Sequence, residues 1–320
     1  ERWTTDPWAA EMADGRIYGR GACDMKAGTT ASLFTYRYLA RLRERLSGRL
    51  TLTAVSDEET FGPWGARYLM EHHPEVHGDC LLNAEPSSPW TIRFAEKGVY
   101  WLRLTVPAAG GHGAYGHLSA SPTRMAAHLI ADLEALCDIE PAAPGNVAGA
   151  IEAGRAAMDR AMGEGAGAIA DRITLNIGQI HAGVKINMIP SACTVEADIR
   201  LPVGADRDTV RPEIDRILAR YPGVEVEELS YSAPCWCDPD GEMMRLLRET
   251  VRELRGFDPT PIVSLGGTDA RLWRHAGVPA YVYGPAPRNM GTGDEYVDIE
   301  EFLHILRTHA LSGHAYLTAG

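Results

Sequence analysis

The feature that most constrains this chain is a change of pattern in its middle. Strands and helices alternate along residues 1–97 and again along 233–320, whereas residues 98–232 follow a β-α-β-β-α-β order. Alternation of that kind implies an α/β domain whose mixed, mostly parallel sheet is flanked by helices. The central order matches a ferredoxin-like α+β domain, an antiparallel sheet with two helices on one face. The outer domain is therefore expected to be discontinuous, with the central one inserted in it.

The first part reads as a helix over Asp24–Leu46, a strand Leu50–Val55, acidic Asp57–Glu59, a helix Trp64–His72 and a strand Cys80–Leu82 closing on Asn83-Ala84-Glu85. The inserted part reads as strand Val99–Val106, helix Pro122–Cys137, strands Thr174–Ile180 and Cys193–Arg200, helix Asp206–Arg220 and strand Val224–Leu229. Residues 141–171, rich in Ala and Gly, read as an insertion in that domain, a mobile helix or loop. The return segment offers helix Glu242–Arg255, strand Pro261–Ser264, a Gly-Gly turn, helix Asp269–Ala276, strand Ala280–Tyr283 and helix Ile299–Leu317.

Composition serves mainly to exclude. With 320 residues, 45% hydrophobic and 23% charged, the chain can build the cores of about two domains and is neither disordered nor fibrous. No apolar run is long enough to span a bilayer, which argues against a membrane protein. A net charge of −12 leaves no basic surface for a phosphate backbone, so nucleic acid is not an expected partner. Six cysteines are too few for a disulfide framework and fit a reducing, cytoplasmic setting.

The chemistry gathers in acids. Asp24, Glu58, Glu59 and Glu85 each fall just beyond a strand or extended segment, where open α/β sheets place their sites. Four converging carboxylates repel one another unless cations neutralise them, which points to a divalent metal site. The adjacent pair Glu58-Glu59 allows one carboxylate to bind metal while the other takes a proton from an activated water. Any one of these acids alone would read as a solvated surface charge.

The stretch Tyr18-Gly19-Arg20-Gly21-Ala22-Cys23-Asp24-Met25-Lys26-Ala27-Gly28, then Asp57-Glu58-Glu59 and Ala84-Glu85-Pro86, resembles the zinc metallopeptidase family of acetylornithine deacetylase, succinyl-diaminopimelate desuccinylase, aminoacylase and glutamate carboxypeptidase. The resemblance continues through Gly111-His112-Gly113, Asn187-Met188-Ile189-Pro190, Asp198-Ile199-Arg200 and Gly266-Gly267-Thr268-Asp269-Ala270. It implies a zinc-exopeptidase-like catalytic domain holding one or two zinc-type ions, with manganese or cobalt as alternatives. It also implies an inserted lid that forms a homodimer interface. Carried over position by position, Asp24 is the bridging ligand, Glu59 and Glu85 bind one metal each, and Glu58 is the general base. His112 resembles the histidine that enters the partner subunit's site and steadies the oxyanion; Asn187 and Arg200 resemble lid residues that hold a substrate carboxylate. Read without that match, His112 is a loop histidine and Arg200 a strand-end charge.

Two family histidines are missing. One normally lies upstream of the region corresponding to Trp3, so the chain reads as N-terminally incomplete. The other should precede Asp294-Glu295-Tyr296-Val297, where Gly291 stands instead. His275 and His304, on predicted helices, are weak replacement candidates. Gly266, Gly267 and Asp269 read as turn and helix-cap residues, Cys235-Trp236-Cys237 as loop or hinge, Cys23 as packing, and Gly19-x-Gly21 carries no nucleotide signal.

The leading expectation is a metal-dependent hydrolase of a C–N bond in a small carboxylate-bearing substrate, an N-acyl amino acid or dipeptide. Two alternatives stand beside it: a relative hydrolysing a non-peptide C–N bond, such as an aromatic amine deaminase, and a catalytically silent binding subunit. A silent protein has no physical reason to keep so costly an acid cluster.

Overall fold

The structure is a computed structural model that describes residues 2–318. In chain order its elements are β1 (Glu11–Ala13), β2 (Arg16–Tyr18), α1 (Ala27–Ala40), α2 (Ala66–His72), β3 (Leu81–Asn83), β4 (Thr91–Glu96), β5 (Gly98–Pro107) and β6 (Gly111–His112). They continue with α3 (Pro122–Leu133), α4 (Gly145–Met162), β7 (Thr174–Ala182), β8 (Met188–Ile189), β9 (Ala192–Leu201), α5 (Arg207–Leu218), β10 (Glu225–Ser232) and β11 (Cys235–Trp236). The last are α6 (Glu242–Arg255), β12 (Thr260–Ser264), α7 (Ala270–His275), β13 (Ala280–Val282), β14 (Tyr296–Asp298) and α8 (Ile299–Thr318). Two compact units result, one of residues 2–96, 145–167 and 236–318, the other of 97–144 and 168–235.

In the second unit, strict alternation along β9 decides the architecture. Cys193, Val195, Ala197, Ile199 and Leu201 are buried, while Thr194, Glu196, Asp198 and Arg200 alternate with them on the opposite face. The sheet order is β10-β5-β9-β7, with each neighbouring pair antiparallel. Leu102, Leu104 and Val106 of β5 pack with Leu129 and Leu133 of α3 and with Val210, Ile214 and Ile217 of α5 in one core. Each helix has a clear start: Ser121 accepts the Arg124 N–H ahead of Pro122, and Asp206 forms a reciprocal capping box with Thr209. Lys97 is buried and its ammonium donates to the carbonyls of Ile169 and Arg172 and to the Thr174 hydroxyl.

The first unit holds a mixed five-stranded sheet in which β4 pairs parallel with β12, β13 pairs parallel with β3, and the two pairs meet antiparallel at Val282 and Arg93. A separate three-stranded antiparallel sheet has the order β1-β2-β14. The helical stripe Met243, Met244, Leu247, Val251 is buried on α6, and His304, Ile305, Thr308, His309, Ser312 on α8.

Three sequence expectations differ from what is observed. Leu50–Val55 forms no strand; Leu50–Thr53 and Cys80–Leu82 instead both line a cavity of about 480 Å³. The helix expected from Asp24 starts at Ala27, since residues 22–26 make an irregular turn. Residues 145–167, read as part of the inserted domain, pack with the first unit, where α4 lies on β12. A Cβ at Gly154 would stand 3.0 Å from the Pro261 carbonyl oxygen, so glycine at that position reflects close helix-on-strand packing.

Buried among the strand and helix ends is a Tyr283 flanked by two histidines. Its hydroxyl donates to the Pro89 carbonyl and meets His304 Nε2 at 2.7 Å, while His309 Nε2 donates to the Tyr283 carbonyl at 2.7 Å. Burial pushes both imidazoles down to about 4. The folded state therefore keeps them neutral, and their contribution is fully present above the unfolded value of about 6.5 and is lost as pH falls toward 4. Thermal unfolding followed between pH 7 and 4 should show a progressive loss of stability, on the order of 2 kcal/mol per histidine, and His309→Gln should flatten that slope.

Candidate active site

The carboxylates reach their places by different local devices. Glu85 follows β3, and its N–H donates to the Asn83 side-chain oxygen at 2.6 Å. Asp24 sits in the irregular turn between β2 and α1 with non-helical backbone angles of −121° and 94°. Glu58 and Glu59 ride a loop organised by Asp57, whose carboxylate accepts from the Thr60 hydroxyl and from the Trp64 N–H. Glu85 follows β3 of the five-stranded sheet, Asp24 comes after β2 of the three-stranded sheet, and no strand forms over 50–55 ahead of Glu58 and Glu59.

Electrostatics nevertheless tie them together. Burial first, then the charges of Asp24 and Glu58, push Glu85 up to about 9. Burial first, then Asp269 and Glu59, push Glu58 up to about 7. Glu59 is raised by its partial burial and by Asp24 and Glu295. Asp24 is raised by burial and shares a side-chain hydrogen bond with Glu85, with Arg93 opposing the repulsion at both. Carboxyls this close repel one another unless their charge is neutralised, and a divalent cation would do so. The oxygen donor set of Asp24, Glu85 and Glu59 in that sense fits a divalent ion, with oxygen as its ligand chemistry. Among the described residues, no group of three or more His, Cys, Asp or Glu side chains is drawn close enough to hold an ion in this conformation.

Several residues matter here that sequence reasoning passed over. Asp269, taken for a helix cap, makes no side-chain cap bond; the Thr268 hydroxyl accepts the Ala270 N–H, and the Asp269 carboxylate instead acts on Glu58. Thr268 is fixed in turn by buried Glu96, which accepts its N–H at 2.8 Å, its hydroxyl at 2.6 Å and Arg274 Nη1 at 2.7 Å. Glu295 accepts the Cys23 and Asp24 N–H groups beneath the Asp24 turn. The signal for Asp269 was its place directly after a strand and a Gly-Gly turn. Glu295 shows in the sequence only as part of the Asp294–Val297 stretch, and Glu96 gives no signal, since nothing in a sequence distinguishes a buried acid from a solvated one.

The second unit presents the other expected residues. His112 and Met188 are cross-strand partners in the short β6–β8 ladder, and the Asn187 carbonyl accepts the Gly113 N–H at 2.8 Å, which brings His112 and Asn187 into one loop pair. His112 Nδ1 accepts the Ala114 N–H at 3.2 Å, which assigns the ring proton to Nε2, a donor on an exposed side chain. Arg200 Nε and Nη2 are held by the Asp198 carboxylate, which also accepts from Trp101 Nε1. His304 is buried against Tyr283, and His275 is exposed on α7. Gly291 lies on an exposed turn at φ 72°, and Cys237 is a buried-edge thiol donating to the Phe94 and Ala280 carbonyls.

Acids that repel one another until a cation arrives, with a raised carboxyl among them ready to take a proton, are what water-driven cleavage of an amide requires. The class is that of the metal-dependent hydrolases acting on amide or peptide bonds. The sequence profile of the peptidase family M20/M25/M40 matches residues 1–311, and the chain belongs to that family. It is 27% identical over 308 residues to a succinyl-diaminopimelate desuccinylase of Xanthomonas euvesicatoria pv. vesicatoria, covering 94% of this chain and 75% of that protein. A desuccinylase of Thiobacillus denitrificans is 26% identical, covering 94% and 72%. Among solved structures, the M20 family metallo-carboxypeptidase Sso-CP2 of Sulfolobus solfataricus superposes with a TM-score of 0.79 at 18% identity, covering 98% of this chain and 80% of that one. Human carnosine dipeptidase 1 gives 0.71 at 14%, covering 97% and 76%. No helix among the described residues is long and apolar enough to cross a membrane.

The Glu96–Arg274 pair, with side chains 1% and 0% exposed, underlies the Asp269 turn. Glu96→Leu leaves the guanidinium buried without its anion and should cost about 3–5 kcal/mol in urea unfolding.

Proposed function

We propose that the chain hydrolyses the amide bond of a small substrate bearing a carboxylate, such as an N-acyl amino acid or a dipeptide. Asp24, Glu59 and Glu85 would hold one or two divalent ions, zinc first. When bound, the ion supplies Lewis-acid charge stabilisation and activation of water. Glu58 takes the proton of the attacking water and returns it to the leaving nitrogen, so the amide is exchanged for a carboxylate and an amine with no net proton consumed at the side chain. The observation that carries this reading is Glu58 itself: a half-buried carboxyl between Asp269 and Glu59, pushed up to about 7, is a proton acceptor matched to neutral pH.

His112 donates from Nε2 to the tetrahedral oxyanion, in the manner of an oxyanion-hole group. Arg200 pairs with the substrate carboxylate, which has to compete with Asp198 for the same guanidinium face, and Asn187 lies on the loop paired with that of His112. Similarity to proteins named succinyl-diaminopimelate desuccinylase supports an N-acyl substrate. We assign the first unit the catalytic role and the second the roles of lid and homodimer contact, with α4 counted in the first. Six free thiols support a reducing, cytoplasmic setting.

Assay of an N-acyl amino acid panel, with and without chelator, tests the proposal. Chelation should abolish turnover and zinc or cobalt should restore it. Glu58→Gln should lower kcat by roughly 10²–10⁴-fold while the fold and metal uptake persist. Arg200→Met should act mainly on KM, and His112→Ala should cost roughly 10²–10³-fold in kcat. Full activity in Glu58→Gln would discard the assignment.

A further inference from the structure

The turn that carries Asp24 is built around a carboxylate from the far end of the sequence. Glu295 immediately precedes β14, whose Tyr296 lies opposite Tyr18 of β2, and the Gly19 N–H donates to the Glu295 carbonyl at 2.9 Å. That ladder sets the Glu295 side chain, 1% exposed, beneath residues 20–24. Its Oε1 accepts the N–H groups of Cys23 at 3.0 Å and Asp24 at 3.1 Å. Its Oε2 accepts the Gly21 N–H at 3.0 Å and Arg20 Nη1 at 3.0 Å. Gly21 adopts φ 78°, a left-handed turn that aims its N–H inward with the others. Backbone N–H groups folded around one anion make a nest, here with the anion supplied by the protein itself.

All four groups around Glu295 are donors. An ionised carboxylate satisfies them all, whereas the amide of the isosteric glutamine would point its own N–H groups at one pair of donors whichever way it is flipped. Charge-assisted bonds of this kind are shorter and roughly twice as strong as neutral ones, so the turn is fixed by its strongest available interaction.

We propose that Glu295 is the positioning residue for Asp24: its carboxylate locks the 20–24 turn in the conformation that presents the Asp24 side chain to Glu85 and so to the metal. The proposal rests on Asp24 as a metal ligand, as read above. It requires no contact between Glu295 and the ion, since orienting groups behind a ligand are known to set metal affinity by roughly 10–100-fold.

Two measurements on the same proteins test it: amide hydrogen exchange on the metal-free chain, and zinc affinity by competition with a chelating dye. In Glu295→Gln the Gly21, Cys23 and Asp24 amides should exchange about tenfold faster or more. Zinc should bind that variant roughly 10–100-fold more weakly, with an altered visible spectrum of the cobalt form. Glu295→Asp keeps the charge but falls one methylene short, and should lie between; if Glu295→Gln does not fold, this variant carries the same comparison. Arg20→Leu removes one of the four donors and should have a much smaller effect on zinc. Ser312→Ala, which breaks the distant Ser312–Thr250 hydrogen bond, should lower Tm yet leave zinc affinity unchanged, separating positioning from general stability. Wild-type exchange at residues 21–24 in a folded Glu295→Gln would overturn the positioning claim. A wild-type chain that takes up no zinc would overturn the metal reading of Asp24 instead, and the two failures are distinct.

Discussion

Like charges brought close together with partial loss of solvent are the constraint on which the rest of the first unit depends. Burial is the largest cause of the upward shift at Asp24, Glu58, Glu59 and Glu85, and to it Asp24 adds repulsion at Glu58, Glu59 and Glu85, Glu59 at Glu58, and Glu58 at Glu85. Such a cluster has a standing cost in stability, which the fold accepts only because the surrounding elements are fixed independently: β13 pairs with β3, β14 with β2, and the Asp57 loop closes on its own side chain. Arg93 relieves part of the repulsion at Asp24 and Glu85 from within the sheet. A divalent cation would relieve it more completely.

Around this cluster the molecule uses two further anions for the opposite purpose. Glu96 and Glu295 are as buried as any acid in the chain, yet each is surrounded by donors, three at Glu96 and four at Glu295. The distinction is chemical. A buried carboxylate with its lone pairs filled rigidifies the backbone that donates to it, and one crowded by like charges stays reactive. Glu96 organises the turn before α7 and Glu295 the turn before α1, so the satisfied acids hold the loops from which the unsatisfied ones project.

Much of this was legible in the sequence because its patterns are periodic. The alternation along β9 and the stripes on α6 and α8 announce their faces directly, and the order of elements separates the two kinds of domain. The acids Asp24, Glu58, Glu59 and Glu85 stood out by position and by resemblance. What escaped did so for physical reasons. Leu50–Val55 alternates like a strand, but a strand exists only where another backbone lies alongside. The Ala- and Gly-rich stretch that became α4 looked loose because small residues mark both flexibility and close approach, and only the distance from Gly154 to Pro261 decides between them. The neighbours of Asp269 read as turn punctuation and suggest a cap, whereas the Thr268 hydroxyl accepts the Ala270 N–H. The importance of Glu295 depends on a partner loop 271 positions away, to which no local pattern points.

The path of α4 has a consequence for how the two units can be taken apart. Because residues 145–167 return to the first unit before the chain completes the second, the polypeptide passes between them four times, at 96/97, 144/145, 167/168 and 235/236. The units are thus interleaved in sequence rather than one being hung from the other by a pair of tethers. Excising everything between residues 97 and 235 would strip a helix from β12 and β4 and expose apolar sheet, so neither half can be cut out as a free-standing piece by a single deletion. Lys97, clamped to Ile169, Arg172 and Thr174, stitches the first of those passages to the third, so the ammonium can reach its partners only after α4 has come and gone.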